Sequence, residues 1–182
     1  SCTVYGQPDQ LPVTEATPKK QAQSPYGNTK RICEEMIEDF VISGAPVKAI
    51  YSSPLERAVE TAQPLADKLN LEIQLRPGLL ETAYGEWTDQ SLKQLRREKK
   101  WKIVQQAPSR FRFPGGESFA ESQQRIVGEL EAICAAHDPK DLIVCVTHAD
   151  PIKLAVAYFL GLPLDNFQRL SVSPASITAL LL

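Results

Sequence analysis

This chain has few of the side chains that build metal sites or disulfide frameworks. It contains two histidines, His137 and His148, and four cysteines, no two of which form a C-x-x-C pair. Cysteines this scattered in 182 residues are unlike a disulfide scaffold and indicate a reducing, cytoplasmic setting. So few histidines also argue against a structural zinc site. We expect no disulfide framework and no structural zinc site, and we assign no cofactor.

The chain also lacks a charge excess and a long apolar run. Its 20 basic and 22 acidic side chains leave a formal net charge of -2, whereas nucleic-acid binders usually carry a basic excess. No apolar stretch approaches the roughly 20 residues that span a bilayer, and residues 1–10 lack the pattern of a signal peptide. We predict no nucleic-acid partner, no membrane span and one domain over residues 1–182.

Segments with strand and helix periodicity alternate along the chain. This pattern predicts an α/β three-layer sandwich with a mainly parallel sheet and helices on both faces. The predicted strands are 2–5, 47–51, 72–75 and 141–147, with two short ones near 169–173 and 177–182. The predicted helices are 29–41, 54–69, 91–104, 118–133 and 151–161.

Capping residues mark the starts of two of these helices. Ser53 is a suitable N-cap, and Pro54 would then occupy the first helical position. Pro64 inside the same helix predicts a kink or an early end. Ser118, with Glu121 three residues later, predicts a capping box.

The parallel sheet has a consequence for the histidine that ends "LIVCVTH". Ligands of such sheets bind beyond the carboxyl ends of the strands, which places Ser52-Ser53 near Thr147-His148. His148 could be a nucleophile, a proton carrier, a phosphate ligand, a metal ligand or a core residue. Asp150, two residues later, is a candidate to orient it.

Two further segments carry charges that suit phosphate chemistry. Arg57 falls in the first turn of its helix, where a cation is unfavourable unless an anion is bound nearby. Glu81 and Glu86 flank the aromatic residues Tyr84 and Trp87, and a carboxyl held against rings can have a raised pKa. The alternative for these residues is ordinary solvation.

Two sequence features have both a structural and a functional interpretation. Gly115-Gly116 allows close backbone approach to a ligand, or simply forms the turn before a capped helix. The basic run from Lys93 to Lys102 is the solvated face of a helix, or an electrostatic funnel for an anionic substrate or acidic partner.

Taken in order, several segments resemble the histidine phosphatase superfamily, which includes cofactor-dependent phosphoglycerate mutase. They are "AIYSSPLERAVETA", "LLETAYGEW", "FPGGESFAE", "IVCVTHADPIK", "LGLPLD" and "SPASI". The resemblance implies a phosphoglycerate mutase-like fold, a phosphate or phosphorylated small molecule as ligand, and no metal. It assigns phosphate binding to Arg57 and His148, and catalytic roles to His148 and to Glu81 as the acid for the leaving oxygen.

One family motif is absent. Active members carry an Arg-His-Gly motif whose histidine attacks phosphorus, and the sequence contains none. Gap-free spacing back from Arg57 places Gly6 and Gln7 at the arginine and histidine positions, and glutamine cannot form a phosphoenzyme. His137 cannot substitute, because "AAHDPKD" is expected at the amino end of the His148 strand.

Three explanations remain open for the missing motif. The chain is a degenerate member, a shortened or altered active enzyme, or a sequence for which the gap-free placement is wrong. The leading prediction is a catalytically impaired homologue that retains part of the phosphate pocket. The alternatives are an active phosphomonoesterase or mutase whose motif lies outside this sequence, and a non-catalytic module that binds a protein partner. The oligomeric state is left undetermined.

Overall fold

Three short apolar segments form a parallel sheet. The computed structural model describes residues 46–174 and 176–182, and within them the strand order is β2-β1-β3. β1 is Val47–Ser52, β2 is Ile73–Leu75 and β3 is Leu142–Val146. The predictions for these three strands are confirmed. The predicted strand 2–5 and the predicted helix 29–41 lie outside the described residues.

Helices connect and flank these strands. The α-helices are α1 (Glu56–Leu69), α2 (Leu92–Leu95), α3 (Trp101–Gln106), α4 (Phe119–Ala135) and α5 (Ala149–Phe159). Short 3-10 helices lie at Pro77–Leu79, Gly85–Trp87, Pro108–Arg110 and Leu164–Arg169. None of the helices in the described ranges is long and apolar enough to cross a membrane.

The two faces of the sheet are covered by different helices. On one face, Ile50 packs with the α1 residues Ala62 and Leu65. On the other face, Tyr51 belongs to a larger cluster with Phe119 and Ile126 of α4, Leu154 of α5 and Phe167 of the last 3-10 helix. Alternating side chains of a strand point to opposite faces, so β1 contributes to both clusters. The predicted three-layer α/β arrangement is confirmed.

The start of α1 differs from the sequence prediction. The helix begins at Glu56 with Leu55 as its N-cap residue, so the prediction of Ser53 as N-cap and Pro54 as first helical residue is wrong. The reason is that the Ser53 N–H donates to the Val146 carbonyl at 2.8 Å, which continues the sheet pairing past the strand.

Proline does not end α1. The helix continues through Pro64 to Leu69, so an early end is wrong. Pro64 is exposed, and the carbonyl left without a helical N–H partner can therefore be hydrated.

The basic segment is not a single helix. Two short helices, α2 and α3, are separated by turns at residues 96–100, which contradicts a continuous helix over 91–104. Residues 96–100 are all charged and exposed, so they offer no apolar face whose burial would stabilise a helical turn. The basic side chains of this segment lie in solvent, as expected for a solvated surface.

The two strands predicted near the end of the chain are not present in the part of it that the structure describes. Residues 170–174 and 176–182 are irregular, and Leu181 is 99% exposed. β-Branched and apolar residues favour a strand only where a neighbouring strand pairs with their backbone groups, and no described strand does so here.

The predicted capping box of α4 is confirmed and gives a test of helix stability. The Ser118 hydroxyl accepts from the Glu121 N–H at 3.2 Å, and the Glu121 carboxylate accepts from the Ser118 N–H at 2.9 Å. We expect Ser118→Ala to lower the free energy of unfolding by about 1 kcal/mol, measured by urea denaturation followed by circular dichroism.

Ser91→Ala is the matched control, since Ser91 forms the same capping box on the four-residue helix α2. Its loss should be less than half as large, because α2 contributes one buried residue, Leu95. Equal losses for the two variants would contradict this assignment.

Candidate phosphate site

Ser53 and His148 meet where β1 and β3 end. The two strands pair in parallel, with Ser52 opposite Val146, so the next residues of each strand emerge side by side. The Ser53 Oγ lies 2.9 Å from the His148 Nε2. Ser53 is fully buried and His148 is 7% exposed. The prediction that these strand ends share one region is confirmed.

Arg125 holds the loop that carries Glu81. From α4, its guanidinium donates to the carbonyls of Gly78 and Leu80, each at 2.9 Å, and to that of Glu81 at 3.3 Å. The same guanidinium forms two 2.8 Å bonds to the Glu117 carboxylate. Although burial opposes it, the bonds from Arg125 lower the pKa of Glu117. A bidentate pair of this kind fixes geometry as well as charge.

The Glu81 carboxyl faces the histidine ring. Its Oε1 accepts from the Thr82 N–H at 3.0 Å, and its Oε2 lies 4.0 Å from the His148 Nδ1. Burial raises the pKa of Glu81 to about 6; nearby Asp150 adds to the rise, while the Thr82 bond and the charge of Arg57 oppose it. A carboxyl with this pKa can exchange a proton near neutral pH.

His148 is neutral at pH 7. Burial lowers its pKa to about 4, and the positive charges of Arg57 and Arg125 lower it further. A neutral imidazole has one N–H donor and one acceptor nitrogen. His148 therefore offers hydrogen bonds rather than a charge.

Arg57 completes the group from the first turn of α1. Its side chain is exposed, and its charge lowers the pKa of both Glu81 and His148. A guanidinium beside a helix N-terminus suits an anion. In residues 46–174 and 176–182, no three His, Cys, Asp or Glu side chains are grouped so that they could hold a metal ion.

Asp150 does not orient His148, so that prediction is wrong. Its Oδ2 accepts from the Tyr84 hydroxyl at 2.9 Å, and its Oδ1 pairs with the Lys153 Nζ at 2.6 Å. The ring of His148 is instead held by Ser53. The reason is that Asp150 lies in the first turn of α5, where its carboxylate points towards Tyr84 and not towards the ring of His148.

Tyr84 interacts with both Asp150 and Glu81. Burial raises its pKa, and the charges of Asp150 and Glu81 raise it further. The hydroxyl therefore remains protonated and donates. Its interaction with Glu81 is one of the effects that restrain the rise in the pKa of that carboxyl.

The other candidate residues lie outside this group. Glu86 is exposed, which favours the solvated interpretation. At Gly116 a Cβ would lie 2.1 Å from the Ala83 carbonyl oxygen, so this glycine is needed where two loops pack, while Gly115 adopts a positive φ of 67°. His137 precedes β3 and bonds the Tyr51 hydroxyl at 2.9 Å, at the amino end of that strand, as expected. Gly6 and Gln7 lie outside the described residues.

Sequence patterns did not indicate several of these contacts. Arg125 meets a loop 44 to 47 positions earlier in the chain, and Tyr84 meets Asp150 across 66 positions. No periodicity connects residues so far apart. By contrast, the contact between Ser53 and His148 had a local signal, since each of the two residues follows a predicted strand.

A family comparison agrees with this arrangement. The profile of the histidine phosphatase superfamily (branch 1) matches residues 39–182. The chain belongs to this superfamily.

Two curated relatives in the superfamily have enzyme names. Phosphoserine phosphatase 1 of Hydrogenobacter thermophilus is 28% identical over 144 residues, and the 2,3-bisphosphoglycerate-dependent phosphoglycerate mutase of Thermoplasma acidophilum is 29% identical over 144 residues. Each alignment covers 76% of this chain but 66% of the relative. The chain thus spans just under two thirds of the length of either enzyme.

A solved structure shows the same fold. It is a histidine-to-alanine variant of phosphoserine phosphatase from Entamoeba histolytica, in complex with phosphoserine. The superposition has a TM-score of 0.69 at 25% sequence identity, and covers 82% of this chain and 73% of that one.

Two shorter matches are to a different class of enzyme. UDP-glucose 4-epimerase of Drosophila melanogaster is 45% identical over 58 residues, which cover 30% of this chain and 17% of the epimerase. Probable UDP-arabinose 4-epimerase 3 of Arabidopsis thaliana is 45% identical over 40 residues, 22% of this chain and 10% of the epimerase.

The raised pKa of Glu81 predicts a pH-dependent gain in stability for Glu81→Gln. The folded state holds a proton on this carboxyl more tightly than the unfolded state does, with pKa values of about 6 and 4.5. The stabilisation is therefore complete below pH 4.5 and is lost as the pH rises through 6. We expect the variant to be more stable than the wild type by about 1 to 2 kcal/mol at pH 8.

The difference should shrink towards pH 4.5, because the wild-type carboxyl is then protonated and uncharged like the amide. Equilibrium unfolding in urea between pH 4.5 and 8 measures it. A difference that does not change with pH would show that Glu81 titrates normally.

Proposed function

We propose that this chain binds a phosphate group, free or on a small molecule, between Arg57, Glu81 and His148, and that it is catalytically impaired. The observation that carries the proposal is the grouping of a guanidinium, a neutral imidazole and a carboxyl of raised pKa at one end of a parallel sheet. The superfamily to which the chain belongs, and the names of its relatives, support a phosphorylated ligand.

Each residue has a role in this proposal. Arg57 pairs with phosphate oxygens, and His148 donates a hydrogen bond to them. Glu81 protonates the leaving oxygen of an ester and later accepts a proton from water. The supporting physical argument is that burial moves the pKa of Glu81 towards neutrality while it keeps His148 uncharged.

The impairment follows from the missing nucleophile. No Arg-His-Gly occurs in the sequence, so the covalent phosphohistidine route is not available to these 182 residues. Direct attack by water, assisted by Glu81, would be slower by orders of magnitude. Ligand binding by a protein that lacks a histidine has a parallel in the histidine-to-alanine variant of phosphoserine phosphatase, whose structure holds phosphoserine.

Cytoplasmic localisation is part of the same proposal. Cys134 and Cys145 are free thiols, which suits a reducing compartment.

A phosphate-binding assay tests the proposal. We expect the wild type to bind inorganic phosphate in calorimetry and to leave phosphoserine unhydrolysed above background. Arg57→Ala should weaken binding about tenfold or more, because a hydrogen bond to a charged group contributes about 1.5 to 3 kcal/mol.

Arg96→Ala is the matched control, since Arg96 is another exposed arginine and belongs to the basic segment. It should leave the affinity unchanged. Phosphatase activity in the wild type that His148→Ala abolishes would refute the impairment, and equal effects of the two arginine variants would refute the pocket.

An active phosphomonoesterase or mutase is the second candidate. It is favoured by the coverage of the relatives, a third of whose length has no counterpart in this alignment. An Arg-His-Gly encoded upstream of Ser1 would decide for it. The third candidate, a module that binds an acidic protein partner through the exposed basic side chains of residues 93–102, predicts binding that weakens sharply with salt.

A further inference from the structure

The hydroxyl of Ser53 has two hydrogen-bond neighbours. The Leu55 N–H donates to Ser53 Oγ at 3.4 Å, and the Nε2 of His148 lies 2.9 Å from the same oxygen. The Ser53 backbone is held across the sheet by its bond to the Val146 carbonyl at 2.8 Å. Ser53 is fully buried, so water does not compete for the hydroxyl.

These neighbours decide where the hydroxyl proton goes. The Leu55 N–H uses an acceptor site of the oxygen, and the single hydroxyl proton then has Nε2 as its acceptor. With the reverse arrangement, in which Nε2–H donates to Ser53, the hydroxyl proton would need another acceptor. No other described group bonds the Ser53 Oγ, so that proton would be buried without a partner, which is unfavourable.

The second ring nitrogen therefore carries the proton. Nδ1 is the atom of His148 that faces Glu81, at 4.0 Å from Oε2. That distance is too long for a direct hydrogen bond, so the N–H remains available to an anion beside Arg57. An unprotonated Nδ1 would instead turn a lone pair towards both the carboxylate and the anion.

We propose that Ser53 is a positioning residue that fixes neutral His148 as its Nδ1–H tautomer, so that the ring presents a hydrogen-bond donor to the phosphate site. The effect on anion binding rests on the proposed function, whereas the tautomer is a property of the free protein. The imidazole then donates at neutral pH without a charge.

Nitrogen NMR of the histidine side chains tests the tautomer. The chain has two histidines, so His137→Gln leaves only the signals of His148. At pH 7 we expect protonation at Nδ1 and a free Nε2. In Ser53→Ala the tautomer should shift towards Nε2–H, and the dissociation constant for inorganic phosphate should rise about fivefold, as expected for one hydrogen bond of about 1 kcal/mol.

Ser52→Ala is the matched control. Ser52 is equally buried and its hydroxyl donates to the Ser53 carbonyl at 2.9 Å. Its loss should leave the tautomer of His148 unchanged. A wild-type His148 protonated at Nε2, or an unchanged tautomer in Ser53→Ala, would overturn the inference. Absence of phosphate binding by the wild type would instead count against the proposed function alone, because the tautomer is observed without ligand.

A second inference comes from the two kinds of relatives. The superfamily profile begins at residue 39, and the phosphatase and mutase alignments cover 76% of the chain. The UDP-glucose and UDP-arabinose epimerase matches cover 30% and 22% of the chain, each at 45% identity. The phosphatase and mutase alignments have identities of 28% and 29%. Epimerases and histidine phosphatases are different classes of enzyme, so most of the epimerase similarity is expected outside the range of the profile. The two matches, of 58 and 40 residues, are longer than the 38 residues before the profile, so each also includes residues of its range.

We infer that an N-terminal segment that includes residues 1–38 has the same origin as a segment of a sugar-nucleotide epimerase, and is not a decayed first strand of the phosphatase fold. The gap-free spacing from Arg57 back to Gly6 and Gln7 would then cross a junction between unrelated sequences. Gly6 and Gln7 would not correspond to the arginine and histidine of the missing motif, and the chain would combine two origins rather than form one domain over 1–182.

Two variants of the full chain distinguish this origin from degeneration. Gly6→Arg with Gln7→His should give no phosphoserine hydrolysis. Replacement of residues 1–38 by the N-terminal segment of the Hydrogenobacter phosphoserine phosphatase should raise hydrolysis by roughly a hundredfold or more, because it restores a covalent nucleophile.

Cooperative thermal unfolding must first show that both variants are folded. Hydrolysis by the double substitution, or no gain from the replacement in a folded protein, would overturn the inference. The proposed function is judged separately, on the wild-type chain.

Discussion

The parallel pairing of β1 with β3 is the constraint on which the candidate site depends. Because Ser52 lies opposite Val146, the chain leaves both strands at the same level, and the Ser53 N–H extends the pairing by one more hydrogen bond. That bond keeps residue 53 extended and delays the start of α1. The hydroxyl of Ser53 is thereby placed against His148, where it bonds the ring instead of capping a helix. A shift of one residue in this register would turn Ser53 to the other face of the sheet.

Electrostatics at the site depends on a second anchor, the guanidinium of Arg125. It donates to carbonyls of the segment from Gly78 to Glu81, and so holds the Glu81 carboxyl beside a buried imidazole. Burial then moves the two groups in opposite senses, raising the pKa of Glu81 and lowering that of His148. The result is a neutral donor and a proton-exchanging acid near one exposed cation, Arg57, a combination that suits a phosphoryl group more than a metal ion.

In the proposed function, the chemistry of this part of the chain is incomplete by itself. A solved phosphoserine phosphatase shares the fold, and the described residues supply groups suited to binding and to proton transfer. In the proposal, the missing component is a nucleophile. An epimerase-like origin for the first 38 residues would explain why a recognisable pocket is present while the motif that normally accompanies it is absent, without requiring mutation of each motif residue in turn.

Much of the fold was determined by sequence alone, because periodicity reports which side of an element is buried. Three strands, the capped helix α4 and the joint position of the residues after β1 and β3 followed from local patterns. The predicted cap at Ser53 was wrong because the Ser53 N–H pairs with Val146, a partner that local sequence does not specify. The helix over 91–104 and the two last strands were wrong because the first lacks an apolar face to bury and the others have no described strand to pair with. Tertiary structure alone decided the hydrogen bonds of Ser53 and Asp150 and the shifted pKa values, since these arise from burial and from groups many positions apart in the chain.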